Sequence, residues 1–587
     1  MSFTHVDKIK TRMSREDVRF YSDIWEPVEV ATPDGDPFSN SLCVMPDGEI
    51  RMYGVYRKES VFQRNPRRCY IASRDGGLSW KRHMVEGKYT LGKSTYVPYL
   101  DKYVDVRDMG FDGSFVLIGD SPDDENPMRI MFSESSCGEV GTIFPMRSRN
   151  RVILITHEKR PKLHPTAYFA VLHYADGDLR TWTKVTLDAV PFFEPEEGKT
   201  GVRWQQNNRE NTVEELSDGT LVMISRTSLD HHYICFSKDG GETWTKPEPS
   251  AFHGTGTMPK LTRLSDGRLV FVWCNTRLLP ELDDADGIWE DVFTNRDANH
   301  IAISDDDGKS WRGFRELALN PHRNATDFRS LGGPEVSRDK SVHQFEILEL
   351  PYGKLMVAYG QHYACRRIVI LDLKWLYETE RRENFIHGLG AISSQGYVKS
   401  VLGCYRGTED APLSFVGHCA YNRINSAMLL PDPVNDGREV LHICHTNDPR
   451  LVSNVGGAVW NFPTAKKGSV TVKVHIGGKG LRFSLLDHWV NPCDEDVKKV
   501  SACSATLNDS VQDENSFYTR VRLDFDCTEG AVEIFVNERF LSKGKLRGTH
   551  PNGLSYLHMQ TAAQEQDLAG ALIAELQFVG KQENELL

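Results

Sequence analysis

Three things are missing from this sequence, and each absence closes off a class of protein. There is no stretch approaching the roughly 18 consecutive apolar residues that a membrane helix needs, so no membrane partner is expected. There is no Cys-x-x-Cys pair. The 12 cysteines stand singly from Cys43 to Cys527, which reads as reduced thiols and not as a disulfide framework or a zinc site. There is no Lys/Arg-rich run, and the net charge is −12, which argues against nucleic acid as a partner. Met1 to Glu29 carries charges throughout and lacks an apolar h-region, so a cytoplasmic location is expected. His442-Ile443-Cys444-His445 and Asp283-Asp284-Ala285-Asp286-Gly287 match metal-ligand spacings only loosely, and neither a metal nor any other cofactor is expected.

What the sequence does have is a repeated octapeptide. Ser73-Arg74-Asp75-Gly76-Gly77-Leu78-Ser79-Trp80, Ser237-Lys238-Asp239-Gly240-Gly241-Glu242-Thr243-Trp244 and Ser304-Asp305-Asp306-Asp307-Gly308-Lys309-Ser310-Trp311 share the pattern Ser-x-Asp-x-Gly-x-Ser/Thr-Trp. A weaker copy runs from Asp176 to Trp182. The Asp carboxylate can accept backbone N–H groups, the Gly can take positive φ, and the Trp can cover the turn they build. Three full copies mark a repeat architecture.

These octapeptides resemble the Asp-boxes (BNR repeats) of the sialidase-like β-propeller superfamily. The resemblance implies an all-β fold, a six-bladed propeller, with the boxes as structural turns away from the pocket. The rest of the chain can be measured against them. Hairpin signals recur at Leu42 to Arg57 around Asp47-Gly48, Glu214 to Arg226 around Asp218-Gly219, Leu261 to Trp273 around Asp266-Gly267, and Ile347 to Tyr359 around Gly353. Each is strand, tight polar turn, strand. Trp80 and Trp182 lie 102 residues apart, against 62 from Trp182 to Trp244 and 67 from Trp244 to Trp311. The first gap therefore has room for a unit without a box. Six units result, near residues 37–84, 90–137, 140–187, 208–248, 256–315 and 341–372, although five remains an open count.

The expected organisation is a lead-in over 1–36, the propeller over 37–372, a helical connector over 373–396 and a second all-β domain over 397–587. Asp372 is a candidate N-cap, followed by Leu373, Leu376, Tyr377 and Glu380 at helical spacing before Gly388. Beyond it Val470, Val472, Val474 and Ile476 alternate, as do Val521, Leu523 and Phe525, and Val532, Ile534 and Val536. This period of two fits a concanavalin-like (jelly-roll) β-sandwich, a module that accompanies many such propellers and through which an oligomer could form.

If the hairpins are inner strands of blades, two positions on each face a central pocket. Strand ends give Arg57, His157, Glu158, Arg226, Asn275, Arg277, Gln361 and His362, and strand starts give Ser39, Glu210, Met258 and Gln344. A largely polar set of this kind suits the hydroxyls and carboxylates of a sugar. The segment Asn208-Arg209-Glu210-Asn211-Thr212-Val213-Glu214-Glu215 followed by Ser225-Arg226 is similar to the sialidase segment that carries a catalytic Glu and a carboxylate-binding Arg. The match implies those roles for Glu210 and Arg226.

Two sialidase signatures are absent. Phe38-Ser39-Asn40-Ser41-Leu42 stands where an Arg-Ile-Pro stretch belongs, and His343-Gln344-Phe345 where the Tyr nucleophile belongs. The remaining titratable residues offer other acid–base chemistry. His157, His343 and His362 are titratable near neutrality and could act as general acid or base, and Glu210, Glu158, Asp297 and Glu335 are carboxylates that could form an acid/base pair for glycoside hydrolysis. The expected catalytic set is Glu210, His157, Asp297, Glu335 and His343. Arg57, Glu158, Arg226, Asn275, Arg277, Gln344, Gln361 and His362 are expected to bind substrate. The function expected is exo-acting hydrolysis of a terminal acidic or polar sugar from a glycan. The alternatives are a propeller-type lyase acting on a uronate and a carbohydrate-binding protein without catalysis.

Overall fold

The computed structural model describes residues 4–581 apart from 34–37, 57–66, 86–93, 109–112, 135–139, 161, 163–166, 195–196, 198–205, 255, 278–295, 321–341, 361–365, 398–422, 450, 452 and 513–514. Six four-stranded antiparallel blades follow one another along the chain. Blade one comprises Phe38–Val44, Ile50–Tyr56, Arg67–Ser73 and Lys81–Met84, and blade two Thr95–Val97, Lys102–Asp108, Ser114–Gly119 and Met128–Ser133. Blade three comprises Val140–Pro145, Arg151–Lys159, Tyr168–Asp176 and Thr183–Thr186, extended by Gln206–Asn207. Blade four comprises Arg209–Glu215, Leu221–Arg226, His231–Ser237 and Glu248–His253, and blade five Lys260–Arg263, Leu269–Trp273, Ala298–Ser304 and Arg312–Leu319. The unit without a box is thus a blade, and the count is six.

Blade six corrects one expectation. Its strands Glu346–Leu350, Lys354–Tyr359 and Arg367–Asp372 are completed by Val28–Val30, with Val28 opposite Ile370 and Val30 opposite Ile368. The lead-in therefore supplies a blade strand, a pairing that no local pattern records. It also forms two helices, His5–Arg12 and Arg15–Asp23, each opened by a capping box, Thr4 with Asp7 and Ser14 with Asp17. They dock on the ring through buried Ile9 and Tyr21, whose hydroxyl donates to the Gly76 carbonyl in the first Asp-box.

The boxes fold as their composition requires. In the second, Asp239 Oδ1 accepts the N–H groups of Glu242 and Thr243, both at 3.0 Å. Trp244 Nε1 donates to the Gly241 carbonyl at 3.1 Å. Gly240 and Gly241 have φ of 81° and 92°, where a Cβ is strained. The first and third boxes repeat the Trp-to-Gly bond at 2.9 and 3.0 Å.

The propeller's apolar core lies between neighbouring blades. Ile50 and Met52 of blade one pack with Met356 and Ile370 of blade six. Ile153 and Ile155 of blade three pack with Met223 and Cys235 of blade four. Each fully buried aliphatic side chain there contributes about 1.5–3 kcal/mol. The eight cysteines described are free. No described helix is long and apolar enough to cross a membrane.

The second domain is a β-sandwich. One sheet is ordered Ala427–Pro431, Glu439–His445, Asp567–Gly580, Lys467–Ile476, Thr519–Asp526, Ala531–Val536 and Arg539–Lys545, with Glu380–Glu383 also paired to Asp567–Gly580. The other is ordered Ile392–Ser393, Gly457–Ala465, Leu554–Thr561, Leu481–Leu486 and Cys503–Leu507. Val470, Val472, Val474 and Ile476 all point into the core, as their alternation implies.

The helical connector is corrected to a single 3-10 turn. Asp372 does cap it, accepting the Lys374 N–H at 2.8 Å, but the turn ends at Tyr377, and Glu380–Glu383 is already a sandwich strand. Burial of Leu373, Trp375 and Leu376 among blades five and six outweighs the helical spacing.

Candidate functional site

Four blades bring polar residues on or beside their strands together around Glu210. The antiparallel register between Arg209–Glu215 and Leu221–Arg226 slips between Arg209 and Thr212, and Asn208 and Glu210 have φ of 55° and 46°. Left-handed backbone at a non-glycine residue costs of order 1–3 kcal/mol and persists only where the surroundings enforce it. The bulge turns the Glu210 side chain onto Arg226, with which it forms a largely buried ion pair. Burial alone would push the Glu210 carboxyl up. Arg226, reinforced by Arg209 and Arg296, instead brings it down to about 2. Glu210 is therefore an anion throughout the neutral range, able to act as a base or an electrostatic partner and not as a proton donor.

His157, fully buried at the end of its blade-three strand, accepts the Glu210 backbone N–H on Nε2 at 3.1 Å. This places its proton on Nδ1 and makes it a prop for the strained Glu210 backbone. Asn211 donates to Ser225 Oγ at 3.0 Å, tying the start of one inner strand to the end of the next.

His343 closes the other side. The Met258 N–H donates to its Nε2 at 2.6 Å, and the Arg296 guanidinium lies 3.1 Å from its Nδ1. With Nε2 accepting the Met258 N–H, the ring's other nitrogen, Nδ1, faces the Arg296 guanidinium. Arg296, 1% exposed, also donates to the Gly256 carbonyl at 2.8 Å. His232, behind Arg226, is pushed down to about 3 by burial, against a hydrogen bond to the Ser225 carbonyl. Among the described residues, the arrangement is one carboxylate, three guanidiniums and three imidazoles on blades three to six.

Other expected residues lie elsewhere. Glu158 pairs with Arg160 and with Lys184 on the outermost strand of its own blade, both at 2.9 Å. Adjacent strand residues face opposite sides, so His157 and Glu158 cannot both point inward. Asn275 and Arg277 meet the β-sandwich: Asn275 Nδ2 donates to the Asp487 carbonyl at 2.8 Å, and the Arg277 N–H to the Trp489 carbonyl at 3.1 Å. Asp297 accepts from Asn320 Nδ2 at 2.9 Å within blade five, and its neighbour Arg296 takes the position expected of it. Gln344 stands beside His343 with φ of 65°. Arg57, Glu335, Gln361 and His362 lie outside the described residues. Arg209, Arg296 and His232 were not picked out in the sequence. Arg296 directly precedes the expected Asp297 in the sequence, and it is the guanidinium that reaches the cluster.

A family model of the BNR repeat-like domain matches residues 141–360. No curated protein matches the chain. Among solved structures, a mutant of Trypanosoma rangeli sialidase displaying trans-sialidase activity is 12% identical, covering 96% of this chain and 94% of that one at a TM-score of 0.35. Trypanosoma rangeli sialidase in complex with sialic acid is 11% identical, covering 95% and 94% at a TM-score of 0.35. Likenesses this distant carry no argument about chemistry.

Proposed function

We propose that this chain, whose residues 141–360 match the BNR repeat-like domain, is an exo-acting glycoside hydrolase that takes a terminal acidic sugar at the Glu210 cluster. The observation that carries this reading is the charge imbalance. Among the described residues, three guanidiniums, Arg226, Arg209 and Arg296, act on the one buried carboxylate of Glu210, so positive charge predominates around it. A planar carboxylate on the sugar is the bidentate partner that guanidinium favours. Glu210, held ionised, stabilises positive charge developing at the ring or activates water.

A screen of glycosides of sialic acid, related ulosonic acids and uronates tests this. Glu210→Gln should lower kcat on the best substrate by more than about 100-fold. A wild-type rate in that variant would sink the assignment. One observation favours a second reading: among the described residues, Glu210 is the cluster's carboxylate and it cannot donate a proton. A lyase that neutralises a uronate carboxylate with arginine fits that chemistry. Unsaturated, ultraviolet-absorbing product from a uronate glycan would select it over hydrolysis.

A further inference from the structure

A second cluster lies where blade four meets the sandwich. His253 ends the outermost strand of blade four, while Asp487 and His488 follow the sandwich strand Leu481–Leu486. His253 Nε2 is 3.4 Å and His488 Nδ1 2.6 Å from the same oxygen, Asp487 Oδ1. The three donor atoms all lie within 4.8 Å of one another. The two imidazoles stack at a centroid separation of 3.8 Å, which holds both rings on one side of the carboxylate. His231 stacks on the outer face of His253 at 4.3 Å and walls the cluster.

We propose that His253, Asp487 and His488 bind a divalent transition-metal ion of the zinc class, clamping the propeller to the sandwich. Two imidazole nitrogens and one carboxylate oxygen are the donors that zinc and its neighbours prefer over calcium or magnesium. Bonds of about 2.0–2.1 Å in a tetrahedral shell put ligand atoms about 3.4 Å apart, so small rotations of these side chains suffice. Three protein ligands leave the fourth position to water.

The carboxylate is also held from behind. His550 Nδ1 donates to Asp487 Oδ2 at 2.7 Å, while its Nε2 faces the Arg547 carbonyl at 2.8 Å. Both nitrogens of His550 are thereby occupied, so it orients Asp487 and is not a ligand. The loop is anchored in turn by the Trp489 N–H on the Asn275 carbonyl at 2.9 Å. His253 and Asp487 stay about a fifth exposed, at 20% and 23%, which leaves an entry path.

The test uses the untagged full chain, stripped with a chelator and titrated with zinc ion alone by calorimetry, and with cobalt ion followed by visible absorption. One equivalent should bind, with a tetrahedral-type cobalt spectrum. His253→Ala, at a blade edge, should weaken zinc binding at least 100-fold while the far- and near-ultraviolet circular dichroism stays unchanged. His550→Ala should weaken it 10- to 100-fold, and His442→Ala, on the sandwich strand Glu439–His445, should leave it unchanged. Absence of stoichiometric zinc binding by the wild-type chain, or equal binding by His253→Ala, overturns the proposal. Neither readout depends on the activity assigned to the Glu210 cluster.

Discussion

At the scale of the residue, the Glu210–Arg226 pair decides most. Removing one member of a buried ion pair leaves the other uncompensated, so Arg226→Ala should destabilise the protein by about 3–5 kcal/mol, measured by urea unfolding. The pH dependence has a definite sign. Glu210 has a folded value of about 2 against an ordinary 4.5. Its contribution to stability is complete above about pH 4.5 and is lost as pH falls through about 2. The stability gap between wild type and Glu210→Gln should accordingly be full at pH 7 and shrink between pH 4 and 2.5. A gap that stays constant over that range contradicts the depressed carboxyl. At this scale the sequence was readable only in part. Glu210 and Arg226 stand out because they flank a recognisable hairpin. Arg296 and Asp297 are neighbours just ahead of the strand Ala298–Ser304, and they point to different partners, Arg296 to His343 and Asp297 to Asn320. Asn275 and Arg277 looked like pocket residues because nothing near them in the chain announces that a sandwich loop more than two hundred residues later covers them.

At the scale of the element, the Asp-box is a self-contained unit, and this is why it was legible before any tertiary contact was known. Asp, Gly and Trp satisfy one another within eight residues. Trp80 is 7% exposed and packs into the cluster shared by blades one and six. Trp80→Ala should cost about 3–5 kcal/mol, as buried aromatic truncations do, while leaving turnover of the soluble folded fraction unchanged. Thermal unfolding and specific activity check the two halves. The connector shows the opposite case. Its helical spacing from Asp372 was a real pattern, but Leu373, Trp375 and Leu376 bury themselves more effectively in a short turn that hands the chain to the sandwich. Tertiary packing overrode a weak local preference.

At the scale of the whole molecule, alternation and repeat spacing announced six blades and a second β domain, whereas the join between the two domains and the closure of the ring depend on contacts between distant parts of the chain. Deleting residues 4–31 should expose the edge of Arg367–Asp372, lower the melting temperature and promote self-association, because an unpaired strand is a template for pairing. Size-exclusion chromatography and thermal unfolding would show it, and an unchanged melting temperature would mean that three strands suffice for blade six. The closing strand also ties this protein's assembly to the direction of translation. Val28–Val30 is made before its partner Arg367–Asp372, which follows roughly 340 residues later, a delay on the order of 20–70 s at about 5–20 residues per second. Throughout that interval blades one to five can form one after another, but the ring stays open, and the waiting strand must be kept from pairing elsewhere until the last blade arrives. The two capped helices that lead into the strand touch blade one, through Arg12 with Asp47 and Tyr21 with Gly76, so part of their docking surface exists before blade six is made.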